Sequence, residues 1–557
     1  MLRILILAFL GVVMACNPAS SQTRKGKKPA NPDITWQATG KNGAVSAGGS
    51  ESVAAGLATL KKGGNAVDSA VATIFALSIT DNERFCFGGE APIMIYDAKR
   101  NTVELICGLG TAPKLATQEY FAKRKDGIPA KGIESAAVPG MVDGCLTALD
   151  RHGTITFAEA VQPTLAILDR HEKTWHANLA VTIRRMIEAE KQSPTDRKRG
   201  LRLVADYFYR GPIARELSAF CEANGGLIRY TDLATHVTRI EDPLSVDYRG
   251  HTIYKCGMWN QGPYLLQTLR LLEGYDLKAM GHNHADTVHV MTEAMKLALA
   301  DRDAYYADPL FVDVPTELLL SKKYADLRRP LIDMKKASQT RQPGDPVSGK
   351  VLLEKPPLEV GPGGPMQDTT TCVVADKFGN VVAATPSGFN GVVAGKTGIY
   401  LGTRLQSFNI WKGHPNCIEP GKRPRITLTP GLVFKGGKPI FAISVAGGDL
   451  QDQTALQVIL NHLEFGMAPA EAVTAPRFAT QHHLGSFRQT PPVLGSLTLY
   501  PEFPKSTFDD LAARGHKISV PAKKGHLADP SVIAIDQKTG EFRAAGDPRS
   551  KRHAAAY

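Results

Sequence analysis

Hydrophobic and polar positions fall into two textures along this chain, and they change over near residue 340. Up to that point the pattern is mostly helical. Residues 52–64 carry apolar side chains at helical spacing and stop at Gly63-Gly64, which predicts a helix with a glycine terminator. Residues 65–79 predict a second, more apolar helix. Residues 91–96 and 102–107 read as strands around a turn at 97–101. Residues 287–303 predict an amphipathic helix with Val290, Ala294, Leu297 and Ala298 on one side. Residues 338–365 break the pattern: they are polar, rich in proline and glycine, and finish Gly361-Pro362-Gly363-Gly364-Pro365. Such a segment cannot build a core and predicts an exposed, mobile linker. Strands dominate directly after it, at 370–375 and 381–385 around the turn Lys377-Phe378-Gly379-Asn380, then at 430–434, 439–445 and 531–536, with a helix over 450–465. There is no repeat at solenoid periods.

Composition narrows the class. At 557 residues the chain suits a large α/β enzyme. With 43% hydrophobic and 22% charged residues it can fill a sizeable core, which excludes wholesale disorder. The net charge of +12 is spread along the chain, and the densest basic runs, 24–28 and 197–202, carry no interleaved aromatics. That predicts a solvated basic surface and no nucleic-acid partner. Met1-Leu2-Arg3 followed by an apolar run over 4–13 is too short to span a bilayer and fits an export signal occupying 1–22. Val13-Met14-Ala15-Cys16 looks like a lipoprotein cleavage box, although Met14 is unusual there. Two destinations therefore stand: a membrane-anchored lipoprotein acylated at Cys16, or plain secretion to the periplasm after cleavage near 19–22. Residues 23–42 read as a flexible tether.

The remaining chemistry-bearing residues exclude several classes. The eight cysteines (Cys16, Cys86, Cys107, Cys145, Cys221, Cys256, Cys372 and Cys417) form no Cys-x-x-Cys pair, and their spacing predicts buried single thiols. His282 with His284, and His482 with His483, read as polar loop residues rather than metal ligands. Phosphate-loop, dinucleotide and Gly-x-Ser-x-Gly signatures are missing from the chain. Neither a metal nor a cofactor is expected.

Thr369-Thr370-Thr371 stands where the linker meets the first strand of the second texture. Threonines favour strands, so the run alone implies nothing catalytic. Its surroundings change that. Residues 366–385, MQDTTTCVVADKFGNVVAAT, resemble the cleavage-site segment of the γ-glutamyltranspeptidases. Further resemblances follow in family order: Gly63-Gly64-Asn65-Ala66-Val67-Asp68, Ala137-Val138-Pro139-Gly140, residues 293–315 with their Ala-Asp-Arg word, Ala446-Gly447-Gly448, Ala475-Pro476-Arg477-Phe478 and Asp547-Pro548-Arg549. Each is weak singly; in order over 43–557 they are specific. The resemblance implies an α+β fold, the four-layer αββα sandwich of N-terminal nucleophile hydrolases. It also implies self-cleavage of the Asp368-Thr369 bond into an associated large subunit, 43–368, and small subunit, 369–557.

The chemistry makes sense of the cut. A threonine hydroxyl is a poor nucleophile without a base, and a freed α-amino group with a pKa of about 7.7–8.0 supplies one on the same residue. Family spacing from Gly379-Asn380 selects Thr369, with Thr370 as the alternative. Ser387 lies where the family has a threonine that orients the nucleophile; it also fits a plain hairpin-end serine. Gly447 and Gly448 correspond to the family's oxyanion hole.

The family's substrate cage is depleted here. Cys107-Gly108-Leu109-Gly110 occupies the place of its arginine, Ile426-Thr427 that of its serine pair and Ser407 that of its acid. The loop 387–391 is short, with Asn390 as its one polar candidate, and 407–424 is short for a lid. Asn390, Thr427, Ser407 and Arg404 are thus the candidate substrate contacts. Arg404 suits a carboxylate, but also a structural role, and Arg84 is a second candidate anion contact. The expected substrate is a small-molecule or peptide amide, either γ-glutamyl (glutathione-like) or of related acidic acyl type, with hydrolysis favoured over transfer. Two alternatives stand: a family acylase or amidase with a different acyl specificity, and an uncleaved scaffold.

Overall fold

The structure is a computed structural model and describes residues 33–353, 368–521 and 527–557. The expected export signal with Cys16, and residues 354–367 of the linker region, lie outside the described residues. Two seven-stranded antiparallel sheets form the centre. One runs Arg552–Ala556, Gly43–Gly48, Cys372–Asp376, Val381–Ala384, Ala91–Asp97, Thr102–Gly108, Arg239–Glu241. The other runs Gln37–Gly40, Phe542–Gly546, Asp529–Ile535, Lys438–Ala446, Gly431–Lys435, His251–Lys255, Leu244–Tyr248.

Alternation along the strands builds the layers. Met94, Tyr96, Val373, Ala375, Val381 and Ala383 of the first sheet share a core with Leu432, Phe434, Ala442, Ile533 and Ala544 of the second. Their neighbours of opposite parity, Ile93, Ile95, Val374, Val382 and Ala384, pack under the helices Ser50–Lys61, Ala66–Thr80 and Met141–His152. On the far side Val433, Phe441, Ile443, Val445 and Val532 pack under Pro263–Leu272, Ala285–Tyr305 and Leu450–Leu463. This is the expected αββα sandwich. Burial on both faces explains why its central strands read as unbroken apolar runs.

Local chemistry sets the element ends. Asn65 caps Ala66–Thr80 by accepting from the Val67 and Asp68 N–H groups, with Asp68 completing a capping box. Asp376 closes the hairpin between the two central strands, accepting from Phe378 N at 2.8 Å and Asn380 N at 3.0 Å. Its other oxygen accepts from Ala66 N at 2.7 Å and so ties the hairpin to the helix start.

Two expectations need correcting. Within the expected tether, Gln37–Gly40 is a strand paired with Phe542–Gly546, so residues 33–42 belong to the sandwich. The expected mobile linker is folded up to 353: Gly344 N–H donates to the buried Asp301 at 2.8 Å, and Asp345 organises a turn with Ser348. Both sheets take strands from either side of the Asp368-Thr369 bond, so the two expected subunits share one sandwich.

Candidate active site

The first central strand begins at Cys372, and the residues just before it run against the end of the second. Thr369 bridges to Ser387, and Thr370 N–H donates to Pro386 O at 2.9 Å. That pairing sets the Thr369 Oγ1 3.2 Å from the Ser387 Oγ. Both side chains are buried. The carbonyl oxygen of Asp368, on the bond expected to break, accepts from the Ser387 hydroxyl and from Gly388 N–H, the latter at 3.2 Å. Behind it Arg404 Nη2 donates to Ser387 Oγ at 2.7 Å. A hydroxyl has one hydrogen and two lone pairs. Ser387 spends the hydrogen on the Asp368 carbonyl, so its oxygen accepts from Arg404 and from Thr369.

Arg404 is fully buried and meets two acids. Glu90 Oε1 lies 2.5 Å from Nη2, and Asp368 Oδ2 lies 3.8 Å away while accepting from Thr403 Oγ1 at 2.9 Å. Burial raises the Glu90 carboxyl from 4.5 to about 7; Arg404 opposes the shift and Asp368 adds to it. Glu90 is held by backbone pairing with Ser387 in both directions, at 2.9 and 3.0 Å. Gly89 makes that approach feasible, because a Cβ there would sit 2.4 Å from Ser387 O.

Arg552 supports Thr369 from the other side. Its guanidinium donates to Thr370 Oγ1 at 3.1 Å, to Thr369 O at 3.4 Å and to Asp529 at 3.0 Å. Asp529 pairs in register with Ala446, the residue before Gly447. Gly447 has φ 141°, and a Cβ there would lie 2.7 Å from the Ala528 Cβ, so a larger residue is excluded. The next residues form a braced turn. With the Gln451 amide oriented to satisfy its neighbours, its nitrogen donates to Val445 O and Thr427 O, and its oxygen accepts from Gly448 N–H at 3.2 Å. Gln261 donates to Gly448 O at 3.3 Å and accepts from Arg302 at 3.2 Å. Arg302 also donates to Asp449 at 2.6 Å, and Ser486 Oγ binds the same oxygen at 2.5 Å. Asp303 lies among Arg302, Arg341 and Arg425, which outweigh burial and hold its carboxyl well below the usual range.

The expected site residues thus divide. Thr369, Ser387, Asp368 and Arg404 are in direct contact, while Gly447 and Gly448 follow Ala446, whose strand partner Asp529 reaches Thr369 through Arg552. In the intact chain, however, the Asp368 carbonyl is held by Ser387 and Gly388. Asn390 faces away from a substrate role: its amide oxygen accepts from Val392 N at 2.7 Å and its nitrogen donates to Gly132 O at 3.3 Å. Thr427 is buried behind the glycine turn. Ser407 is buried one 3₁₀ turn beyond Arg404, and its hydroxyl has no hydrogen-bond partner among the described residues. Arg84 donates to Asp529 at 2.6 Å, so its charge is already engaged. Glu90 and Gly388 were missed in the sequence. The available signal was an acid directly after Gly88-Gly89 at the entry to a predicted strand.

A family model described as gamma-glutamyltranspeptidase matches residues 52–170 and 167–557. The chain is 31% identical to the glutathione hydrolase proenzyme of Escherichia coli K12, covering 93% of this chain and 92% of that one. It is 32% identical to the acylase ACY 1 proenzyme of Pseudomonas sp. SE83, covering 86% and 88%. Among solved structures, a cephalosporin acylase from Bacillus halodurans superposes with a TM-score of 0.78 at 27% identity, covering 96% of this chain and 98% of that one.

Proposed function

From the premise that this chain belongs to the γ-glutamyltranspeptidase family, we propose that it is a self-cleaving amidohydrolase acting through an acyl-threonine at Thr369. One observation carries the reading: the Asp368 carbonyl is already gripped by the Ser387 hydroxyl and Gly388 N–H, with the Thr369 hydroxyl against Ser387 at 3.2 Å. Those two donors lie where negative charge develops when Thr369 Oγ1 attacks the Asp368 carbonyl carbon. The Asp368-Thr369 C–N bond then breaks and the hydroxyl proton ends on the Thr369 nitrogen. Water opens the resulting ester, leaving a carboxylate on Asp368 and a free amine on Thr369. That both relatives above are named proenzymes supports such a cut.

In turnover the freed amine takes the Thr369 hydroxyl proton as the oxygen attacks the substrate amide, and passes it to the leaving amine. Gly447 and Gly448 N–H groups serve the substrate oxyanion; the Gly448 bond to Gln451 is long enough for an oxyanion to displace. Water hydrolyses the acyl-threonine, in preference to transfer to an acceptor. The acyl group is γ-glutamyl or a related acidic acyl, with Arg404 as its charged contact. A different acyl specificity is the second reading. It is favoured by Asn390 being spent on backbone and Arg404 being shared with Glu90 and Ser387.

N-terminal sequencing and a substrate panel test both levels. The small fragment is expected to begin at Thr369, and Thr369→Ala is expected to give one uncleaved chain without turnover. An intact wild-type chain, or activity surviving in Thr369→Ala, refutes the proposal. Turnover of glutathione and γ-glutamyl-anilide above other acyl amides removes the second reading.

A further inference from the structure

Far along the chain from the nucleophile, the helix Ala285–Tyr305 buries His289 and Glu293 one turn apart on one face. His516, just beyond the helix Lys505–Ala513, is buried against them. One ligand-capable atom from each of the three lies within 4.8 Å of the other two. His289 Nδ1 and His516 Nε2 are 2.8 Å apart, and His289 Nε2 is 2.8 Å from the Asp333 carbonyl. A carbonyl only accepts, so His289 carries its hydrogen on Nε2 and turns the Nδ1 lone pair inward. This is the arrangement that fixes metal-ligating histidines: the outer N–H on a backbone carbonyl and the inner nitrogen bare. With the His289 hydrogen on Nε2, the 2.8 Å contact makes His516 Nε2–H the donor to His289 Nδ1; His516 Nδ1 has no hydrogen-bond partner among the described residues, so a metal would take the place of that hydrogen as it moves to Nδ1. Glu293 is also seated from outside, accepting from Ser338 N at 3.1 Å.

We propose that His289, Glu293 and His516 form a binding site for a divalent transition metal of the zinc class. Two nitrogens and a carboxylate oxygen suit that class, with water as fourth ligand. Ion–nitrogen distances of about 2.0–2.1 Å in a tetrahedral site put the two ring nitrogens roughly 3.3 Å apart, so the rings separate by about 0.5 Å on binding. Lys296, 2.6 Å from Glu293 Oε1, is the cation the metal must displace from that carboxylate. His289 and Glu293 precede the Asp368-Thr369 bond and His516 follows it. The metal would therefore staple the two cleavage fragments together, a role that rests on the proposed cleavage, whereas the site itself does not.

Because the site is buried, the metal is loaded during synthesis: the full chain is produced in zinc- or cobalt-supplemented medium, desalted into metal-free buffer and analysed for metal. Stoichiometric metal is expected in wild type and equally in uncleaved Thr369→Ala, which separates this proposal from the cleavage reading. The cobalt form is expected to show the visible bands of four-coordinate Co2+ without thiolate charge transfer. Glu293→Gln and His289→Gln, checked for cooperative unfolding, are expected to lose the metal. A chelator is expected to lower the urea concentration at which the wild-type fragments separate. Metal-free wild type from supplemented medium, or full metal content in either folded variant, overturns the proposal; the His289–His516 contact is then a hydrogen bond only.

Discussion

Glu90 shows how burial, outweighing the neighbouring Arg404, can write a pH dependence into a site. Its carboxyl titrates at about 7 in the folded chain against an ordinary 4.5. Between those values the folded state holds a proton that the unfolded state has released, so stability falls as pH rises through the window and levels off above about 7. Urea midpoints measured at the two ends of that window should therefore drop towards the upper end in wild type. The drop should be smaller in Glu90→Gln, which keeps a neutral side chain throughout. A Glu90→Gln profile parallel to wild type would show that Arg404 keeps Glu90 ionised. Thr369, Ser387 and Arg404, which the fold brings into contact, could be picked out beforehand because they sit in or near a continuous motif. Glu90 could not: its role comes from backbone pairing with Ser387, nearly three hundred residues away in sequence, and period-based reading cannot see such pairing.

Helices and strands were legible wherever one pattern ran long enough. The predicted helix over 287–303 is Ala285–Tyr305, and the predicted strands at 91–96 and 102–107 are Ala91–Asp97 and Thr102–Gly108. The hairpin Leu244–Tyr248 with His251–Lys255 escaped notice because each strand is only five residues long and half-exposed, although Leu244, Val246 and Tyr248 alternate with Ser245 and Asp247. The closing strand Arg552–Ala556 escaped because three alanines carry little β signal. The Ala-Asp-Arg word was readable, but its purpose was not, since Arg302 braces Asp449 at the start of the helix Leu450–Leu463. That pairing predicts a large effect. Arg302→Met strips Asp449 of its buried cation and leaves Asp303 to its remaining arginines, so unfolding free energy should fall by about 3–5 kcal/mol in denaturant titration. A loss under about 1 kcal/mol would mean that the network is worth no more than a surface pair.

At the level of the whole molecule, the cut proposed at Thr369 divides the chain without dividing the fold. The strand Cys372–Asp376 lies between Gly43–Gly48, upstream of the cut, and Val381–Ala384, downstream of it. The two fragments are thus expected to elute as one species in native size exclusion and to separate only in denaturant. Fragments that part in native buffer would contradict this. Arg552 adds a matter of timing. It is the side chain that holds Thr369 O, and its strand seats on Gly43–Gly48. A nascent chain lacks it until translation has passed residue 552. The bond therefore cannot be primed by its full set of contacts until that residue has emerged and its strand has docked, so the proposed cut waits for both halves to be in place.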